Sequence, residues 1–132
     1  MSTTQPIRSK QLLHDFKEYY LTKQPNSRNY TLILIGLNTA LRINDILHLT
    51  WGDVYCTEHS RFYTHLLITE KKTEKETRIL INRELQETLL SYRKTQPSIA
   101  DTDYLFPSPR KADSPLSRYQ AYRIVRKAAE AV

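Results

Sequence analysis

Residues 32–47 read LILIGLNTALRINDIL, and this stretch decides the fold because nearly every side chain in it favours burial. Its apolar residues lie on every side of a helix, which predicts a buried central helix over roughly residues 28–41. Arg42 follows directly, with Asp45 three residues later. A guanidinium keeps its charge at any ordinary pH, and burying that charge is costly unless it is paired. The sequence must therefore contain a reason for placing a permanent cation here.

Two physical roles fit an arginine at the junction of two packed helices. It can form a partly buried ion pair with Asp45, which is the interpretation that the spacing alone favours. It can instead present a rigid fork of hydrogen-bond donors to a phosphate at the floor of a cleft. The spacing of Arg42 and Asp45 does not decide between these two roles.

The flanking segments contain further helical patterns. Apolar residues at three- and four-residue steps predict helices in residues 9–23, just after Asn44, in residues 83–96 and in residues 118–132. The predicted N-caps of the helices are Ser9, Asn26 or Ser27, Asn44 and Ser117. The short helix after Asn44 is expected to end at TWGD, residues 50–53.

Three segments have the β-branched and aromatic composition of strands. They are DVYC at residues 53–56, RFYTHLLIT at residues 61–69 and TRILIN at residues 77–82. The charged sequence EKKTEKE between the last two predicts a hairpin turn. The expected fold class is therefore α+β, mostly helical, with a small three-stranded antiparallel sheet in a single domain over residues 1–132.

Composition narrows the function classes. The formal net charge is +6 over 132 residues, which favours a polyanionic partner, with nucleic acid first and an acidic membrane surface second. Two glycines argue against a glycine-rich phosphate loop, and one cysteine excludes an internal disulfide and suggests a cytoplasmic protein. No segment has the composition of a signal peptide or a bilayer span. Cys56 and His59 have half of a zinc-site spacing, for which chance is the better explanation.

The segment GLNTALRINDILHLTWGDV, residues 36–54, resembles the first signature of the tyrosine recombinase, or phage integrase, family. The residues in register with that signature are Thr39, Leu41, Arg42, Ile43, Ile46, Leu49, Trp51 and Asp53. Ala40 stands where the family often has glycine. The resemblance continues through the hairpin KKTEKETRILIN, the DYLFPS segment and the helix SRYQAYRIVRKAAEAV, so that it spans residues 28–132.

The resemblance implies a partial catalytic domain of a recombinase that breaks and rejoins DNA through a 3′-phosphotyrosine. Arg42 would contact the non-bridging oxygens of the scissile phosphate, and Asp45 would orient Arg42 or a later histidine. Lys72 would be the general acid that protonates the departing 5′ oxygen, although Lys71 and Lys75 lie on the same turn. The family requires no metal or other cofactor.

Double-stranded DNA is the expected partner, bound by a homo-oligomer that the family assembles as a tetramer, with no membrane contact. The residues expected to contact DNA are Lys71, Lys75, Arg78, Arg118 and Arg123. On the last helix, basic and aromatic residues interleave, as in helices close to a DNA groove. The compatible alternative is an amphipathic helix with Tyr122, Ile124 and Val125 facing the core.

The family's second signature, His-x-x-Arg, and its late nucleophilic tyrosine have no match in these residues. Tyr63-Thr64-His65 imitates the setting of the nucleophile, but it precedes the hairpin lysines and has a strand pattern, which favours a packing role. The sequence therefore predicts a chain cut within its last helix and inactive by itself. Two other hypotheses are a non-catalytic DNA-binding relative of integrases and a module whose basic face binds an acidic protein.

Overall fold

The computed structural model describes residues 10–69 and 73–132. The helices are α1 (Lys10–Glu18), α2 (Ser27–Thr39), α3 (Ile43–Leu47), α4 (Trp51–Val54), α5 (Arg83–Lys94) and α6 (Arg118–Glu130), and a π-helical turn (Tyr19–Lys23) continues α1. The strands are β1 (Tyr55–Cys56), β2 (Arg61–Phe62), β3 (His65–Thr69) and β4 (Glu76–Leu80). This element content confirms the predicted α+β class. Within the described ranges, no helix combines the length and apolarity needed to cross a bilayer.

Helix α2 is the buried central helix that its sequence predicts. Residues 31–35 are all buried, and α2 packs against α1, the π-helical turn, α3 and α5. The predicted cap is confirmed because the Asn26 side chain accepts a hydrogen bond from the Asn29 N–H at 3.0 Å. Its neighbours hold α2 on several sides, so the geometry at its C-terminal end is set by the core.

Two sequence predictions are wrong in the segment after α2. Helix α3 begins at Ile43, so its N-cap is Arg42 and not Asn44. The TWGD segment does not end a helix but begins α4, where the Asp53 carboxylate accepts hydrogen bonds from the Thr50 N–H at 2.8 Å and its hydroxyl at 3.1 Å. Gly52 then approaches the Asp101 backbone so closely that a Cβ atom would lie 3.0 Å from the Asp101 carbonyl oxygen.

The single three-stranded sheet is also wrong, because the described strands form two separate antiparallel pairs, β1 with β2 and β3 with β4. The predicted strand over residues 61–69 is divided at Tyr63 and Thr64. The Tyr63 N–H donates to the Val54 carbonyl at 2.8 Å and so extends the first pair. The Thr64 carbonyl accepts from the Ile81 N–H at 2.8 Å and extends the second. The chain therefore changes its pairing partner between two adjacent residues.

The loop between α5 and α6 contributes the apolar plug that its sequence suggests. Leu105 and Phe106 are fully buried, and the Leu105 N–H donates to the Leu49 carbonyl at 3.0 Å. The Phe106 ring stacks on Tyr92 of α5 with 6.0 Å between the ring centroids. This contact joins the loop, α5 and the segment after α3 in one core.

Tyr92 makes the stability of this core sensitive to alkaline pH. Its hydroxyl donates to the Leu105 carbonyl, and burial raises the pKa of Tyr92 to about 12, although the charge of Arg28 opposes the rise. Below pH 10 both the folded and the unfolded chain keep the phenol proton. Above pH 10 the unfolded chain releases that proton first, so the free energy of unfolding falls by about 1.4 kcal/mol for each unit of difference in pKa.

We expect Tyr92→Phe to remove this alkaline loss of stability, which amounts to about 3 kcal/mol for a pKa difference of about two units. Below pH 10 the same variant should be less stable by about 1 kcal/mol, because the Leu105 carbonyl loses its donor. Urea unfolding at pH 8 and at pH 12 measures both effects. Tyr119→Phe is the control, since Tyr119 is exposed, and an equal change of pH dependence in both variants would contradict the assignment.

Candidate functional site

Arg42 lies outside the core, on the short connection between α2 and α3. Helix α2 ends at Thr39, and Arg42 has an extended backbone (φ −68°, ψ 148°). Its carbonyl accepts hydrogen bonds from the N–H groups of Asp45 at 3.0 Å and Ile46 at 3.1 Å, while its side chain is exposed. The apolar stretch therefore does not bury this cation. The two helices fix its backbone and leave the guanidinium facing solvent.

The predicted ion pair between Arg42 and Asp45 is not observed. Among the described residues, no hydrogen bond or ion pair involves the Arg42 guanidinium. Asp45 is half-buried in the first turn of α3, where a carboxylate interacts favourably with the helix dipole. In the described part of the chain, the donors of Arg42 are therefore available to a ligand.

Ala40 makes the turn between α2 and Arg42. Its backbone is left-handed, with φ 55° and ψ 20°, a conformation that L-residues other than Asn and Asp rarely adopt. The Leu41 N–H then contacts the Thr39 hydroxyl at 3.3 Å. Glycine has no Cβ and adopts this conformation without strain. The turn geometry therefore explains why the family signature often has glycine where this chain has Ala40.

We expect Ala40→Gly to stabilise the fold by about 1 kcal/mol, because glycine has no Cβ to clash in the left-handed region. Chemical denaturation of the two proteins measures the change. Ala121→Gly is the matched control: Ala121 is buried within α6, and there glycine should destabilise by about 1 kcal/mol or more. Destabilisation by both substitutions would contradict the role assigned to the turn.

An amide bridge ties the end of α2 to the start of α5. The Asn82 Nδ2 donates to Asn38 Oδ1 at 2.8 Å, and Asn38 Nδ2 donates to the Leu34 carbonyl at 2.9 Å. Asn82 also caps α5, because its Oδ1 accepts from the Leu85 N–H at 2.9 Å. Sequence reasoning missed this bridge. The cap alone had a signal, an Asn three residues before a buried Leu. Asn38 lies four residues before Arg42, so the bridge restrains the segment that carries the arginine.

The second strand pair presents the predicted hairpin cations to solvent. Arg78 lies on β4 opposite Leu67 of β3, and both side chains are exposed. Lys75 is exposed in the turn, where its N–H donates to the Thr73 hydroxyl at 3.3 Å. Lys71 and Lys72 lie outside the described residues, so the register of the hairpin lysine stays a prediction. The opposite face of the pair packs inward through the buried Leu66.

Helix α6 presents a basic and aromatic surface. Ser117 is confirmed as its N-cap, with its hydroxyl accepting from the Gln120 N–H at 3.1 Å. Arg118 and Arg123 are exposed, and the Arg123 guanidinium lies 5.8 Å from the Tyr119 ring centroid. Tyr122 is 48% exposed, so its alternative assignment to the core is wrong. Helix α3 packs on α6, which places the Arg42 connection and this surface on neighbouring elements.

Comparison with known protein families decides the affiliation. Residues 4–132 match the model of the phage integrase family. This chain belongs to the phage integrase family. It is 43% identical over 131 residues to the probable integrase/recombinase YoeC of Bacillus subtilis (strain 168). That alignment covers 99% of this chain and 66% of YoeC, so the integrase-family chain spans somewhat less than two thirds of its relative.

Solved structures of recombinases share the fold of this integrase-family chain. The crystal structure of XerA recombinase matches with a TM-score of 0.74 and 21% identity, covering 98% of this chain and 43% of XerA. The Tn1549 transposon integrase, solved in complex with circular intermediate DNA, matches with a TM-score of 0.61 and 20% identity, covering 98% of this chain and 47% of that integrase. At these identities the likeness establishes the fold.

Tyr63 is unsuited to act as a nucleophile in this phage integrase chain. It lies between β2 and β3 rather than on a helix. A hydrogen bond with the Cys56 thiol raises the pKa of Tyr63, which opposes formation of the phenolate that attacks a phosphate. Tyr63 is 43% exposed, so the predicted packing role is wrong, and its position between β2 and β3 is what argues against a nucleophile.

The Cys56 and His59 pair, which has half of a zinc-site spacing, is not joined by further metal ligands in the described residues. Cys56 is half-buried on β1, and His59 is exposed in the turn that follows. In the two described ranges, no three His, Cys, Asp or Glu side chains are grouped closely enough to hold a metal ion.

Proposed function

We propose that residues 1–132 form, as a single unit, the amino-terminal portion of the catalytic domain of a tyrosine-type site-specific recombinase. The observation that carries the proposal is the exposed Arg42 guanidinium, fixed between α2 and α3 with no carboxylate partner among the described residues. Family membership and the YoeC relative, whose name describes an integrase/recombinase, support it. The reaction would break and rejoin DNA strands, including strands that become integrated.

Arg42 would hydrogen-bond the non-bridging oxygens of the scissile phosphate. In the pentacoordinate transition state those oxygens carry more negative charge than in the ground state. A preorganised guanidinium therefore stabilises the transition state preferentially, which is the condition for catalysis. The bridge from Asn38 to Asn82 and the turn at Ala40 would supply the preorganisation. Asp45 would act next to it, by orienting Arg42 or a histidine supplied elsewhere in the recombinase.

A hairpin lysine would protonate the departing 5′ oxygen. An alkoxide is a poor leaving group, so proton transfer from a positioned ammonium lowers the barrier. Lys72 is our choice by its place in the motif, with Lys71 and Lys75 as the alternatives. Whichever lysine transfers the proton, the other hairpin cations, including Arg78, would contact the DNA backbone.

The DNA-binding surface would include α6 as well as the hairpin. Arg118 and Arg123 are proposed to contact phosphates, because both side chains are exposed and the Arg123 guanidinium lies close to the Tyr119 ring. The Tn1549 integrase, which shares the fold, was solved bound to DNA and supports this partner. We further propose a cytoplasmic protein that acts as a tetramer on double-stranded DNA and uses no metal or other cofactor.

The 132-residue chain by itself is expected to bind DNA without cleaving it, because it offers no suitably placed nucleophile. A nicked suicide substrate, which traps a 3′-phosphotyrosine by losing the short cleaved fragment, tests this on denaturing gels. We expect an adduct only with a longer protein that also carries the His-x-x-Arg and late tyrosine segments. An adduct on this chain would overturn the assignment of roles. If a protein with those segments formed none, the non-catalytic DNA-binding alternative would be supported.

A further inference from the structure

A basic cavity of about 530 Å³ lies between the segment that enters α2 and the second half of α6. Its charged lining residues are Arg28, Arg123, Arg126, Lys127 and Glu130. Four cations thus face one carboxylate. In the described structure no ion pair of 4.0 Å or less joins Glu130 to any of these cations. The cavity therefore has an unneutralised positive charge.

Among the four cations of this cavity, Arg28 is the one whose side chain is partly buried and held in place. It lies in the first turn of α2 and is half-buried, whereas Arg123, Arg126 and Lys127 are exposed. Its Nε donates to Asn29 Oδ1 at 2.9 Å, which fixes the plane of the guanidinium. Within residues 10–69 and 73–132, no carboxylate oxygen pairs with it. A partly desolvated, oriented guanidinium that lacks a carboxylate is matched to an oxyanion ligand.

We propose that this cavity binds a phosphodiester group of a DNA backbone, at a position separate from the phosphate held by Arg42. The proposal rests on the proposed function, since Arg28 and Arg42 stand at the two ends of α2. A 13-residue helix is about 20 Å long at 1.5 Å per residue. That length corresponds to about six base-pair steps of 3.4 Å in B-form DNA. The phosphate at Arg28 would therefore lie about 20 Å from the phosphate at Arg42.

The form of the cavity favours a polymer over a free anion. Its rim is made of exposed residues, and the cations continue along α6, where Arg123 lies beside Tyr119. The three exposed cations of α6 that line the cavity can contact adjoining phosphates of a backbone, whereas a single small anion would use fewer of them. Arg28 would form the floor contact, and the α6 cations would hold the adjoining phosphates.

The test compares Arg28→Gln with Arg61→Gln, which removes an exposed arginine of β2 that lies outside the cavity. The DNA affinity of each 132-residue variant is measured by anisotropy at several salt concentrations. Losing one phosphate contact should reduce the slope of log K against log salt by about 0.9. We expect this reduction for Arg28→Gln alone, and Arg28→Lys should keep the slope but bind more weakly. Unchanged thermal unfolding confirms that each variant is folded.

A second arm uses inorganic phosphate and pyrophosphate, titrated into the same proteins by calorimetry. Binding of these anions that requires Arg28, together with an unchanged DNA slope, would reassign the cavity to a free anion and overturn the proposal. An unchanged slope with no anion binding also overturns it. If the wild-type chain binds no DNA at any salt concentration, the proposed function itself fails. If it binds DNA with a slope independent of Arg28, only the cavity proposal fails.

Discussion

Arg42→Ala is expected to reduce single-turnover strand cleavage about 10³-fold or more in the recombinase that contains these residues, because the transition-state charge loses its preorganised donor. DNA affinity should change little, because Arg42 is one phosphate contact among many. Its loss would lower the magnitude of the slope of log K against log salt by only about 0.9. Rates on a suicide substrate and affinities by gel shift measure the two effects separately. The structure supports this separation, because the Arg42 side chain is exposed and forms no ion pair within the described residues.

Two further substitutions sharpen this test. Arg42→Lys keeps the charge but loses the planar fork, so it should recover only a small part of the cleavage rate. Arg61→Ala removes an exposed arginine from β2 and should leave cleavage within about two-fold of the wild type, as expected for surface substitutions away from a site. Strand exchange that persists in Arg42→Ala would show that another residue holds the scissile phosphate.

Leu89→Ala is expected to have the largest effect on stability, a loss of about 2–5 kcal/mol in the free energy of unfolding. Leu89 is 1% exposed in the hydrophobic core and belongs to α5, which packs against α2, so its truncation leaves a cavity in the core. Domains of this kind have total stabilities of about 5–15 kcal/mol, so the variant should be close to unfolding. Urea denaturation followed by circular dichroism measures the loss.

Leu90→Ala is the matched control, because Leu90 is the next residue of the same helix and is 42% exposed. The substitution changes helix propensity equally at both positions, so the difference between the variants isolates burial. We expect Leu90→Ala to change the free energy of unfolding by less than about 0.5 kcal/mol. Similar losses in the two variants would mean that α5 is rotated from the orientation described.

The elements that the sequence predicted correctly are those whose signal is local. Helix α2 is recognisable because an all-round apolar segment has to be buried, and Asn26 and Ser117 are recognisable because a polar cap precedes each helix. The exposed hairpin cations at Lys75 and Arg78 follow from the charged turn between two extended segments. In each case, the residues within a few positions of the element were enough to predict it.

The predictions that failed depend on contacts between distant residues. Side-chain alternation in residues 61–69 is the same whether the strand keeps one partner or changes partner at Tyr63, so it could not separate the two sheets. The start of α3 was misplaced because Arg42 caps it through its backbone alone, without the polar side chain that capping rules use. The cavity at Arg28 was missed because α2 and α6 are brought together only by folding.

The bridge between Asn38 and Asn82 also has a consequence for how this sequence can change during evolution. The two residues are 44 positions apart in the sequence, yet the Asn82 amide donates a hydrogen bond to the Asn38 side-chain oxygen. Loss of Asn38 alone would leave the amide donor of Asn82 unsatisfied while Asn82 still had to cap α5. Natural variants that replace one should therefore replace the other, so the pair should covary in an alignment of descendants that keep this bridge.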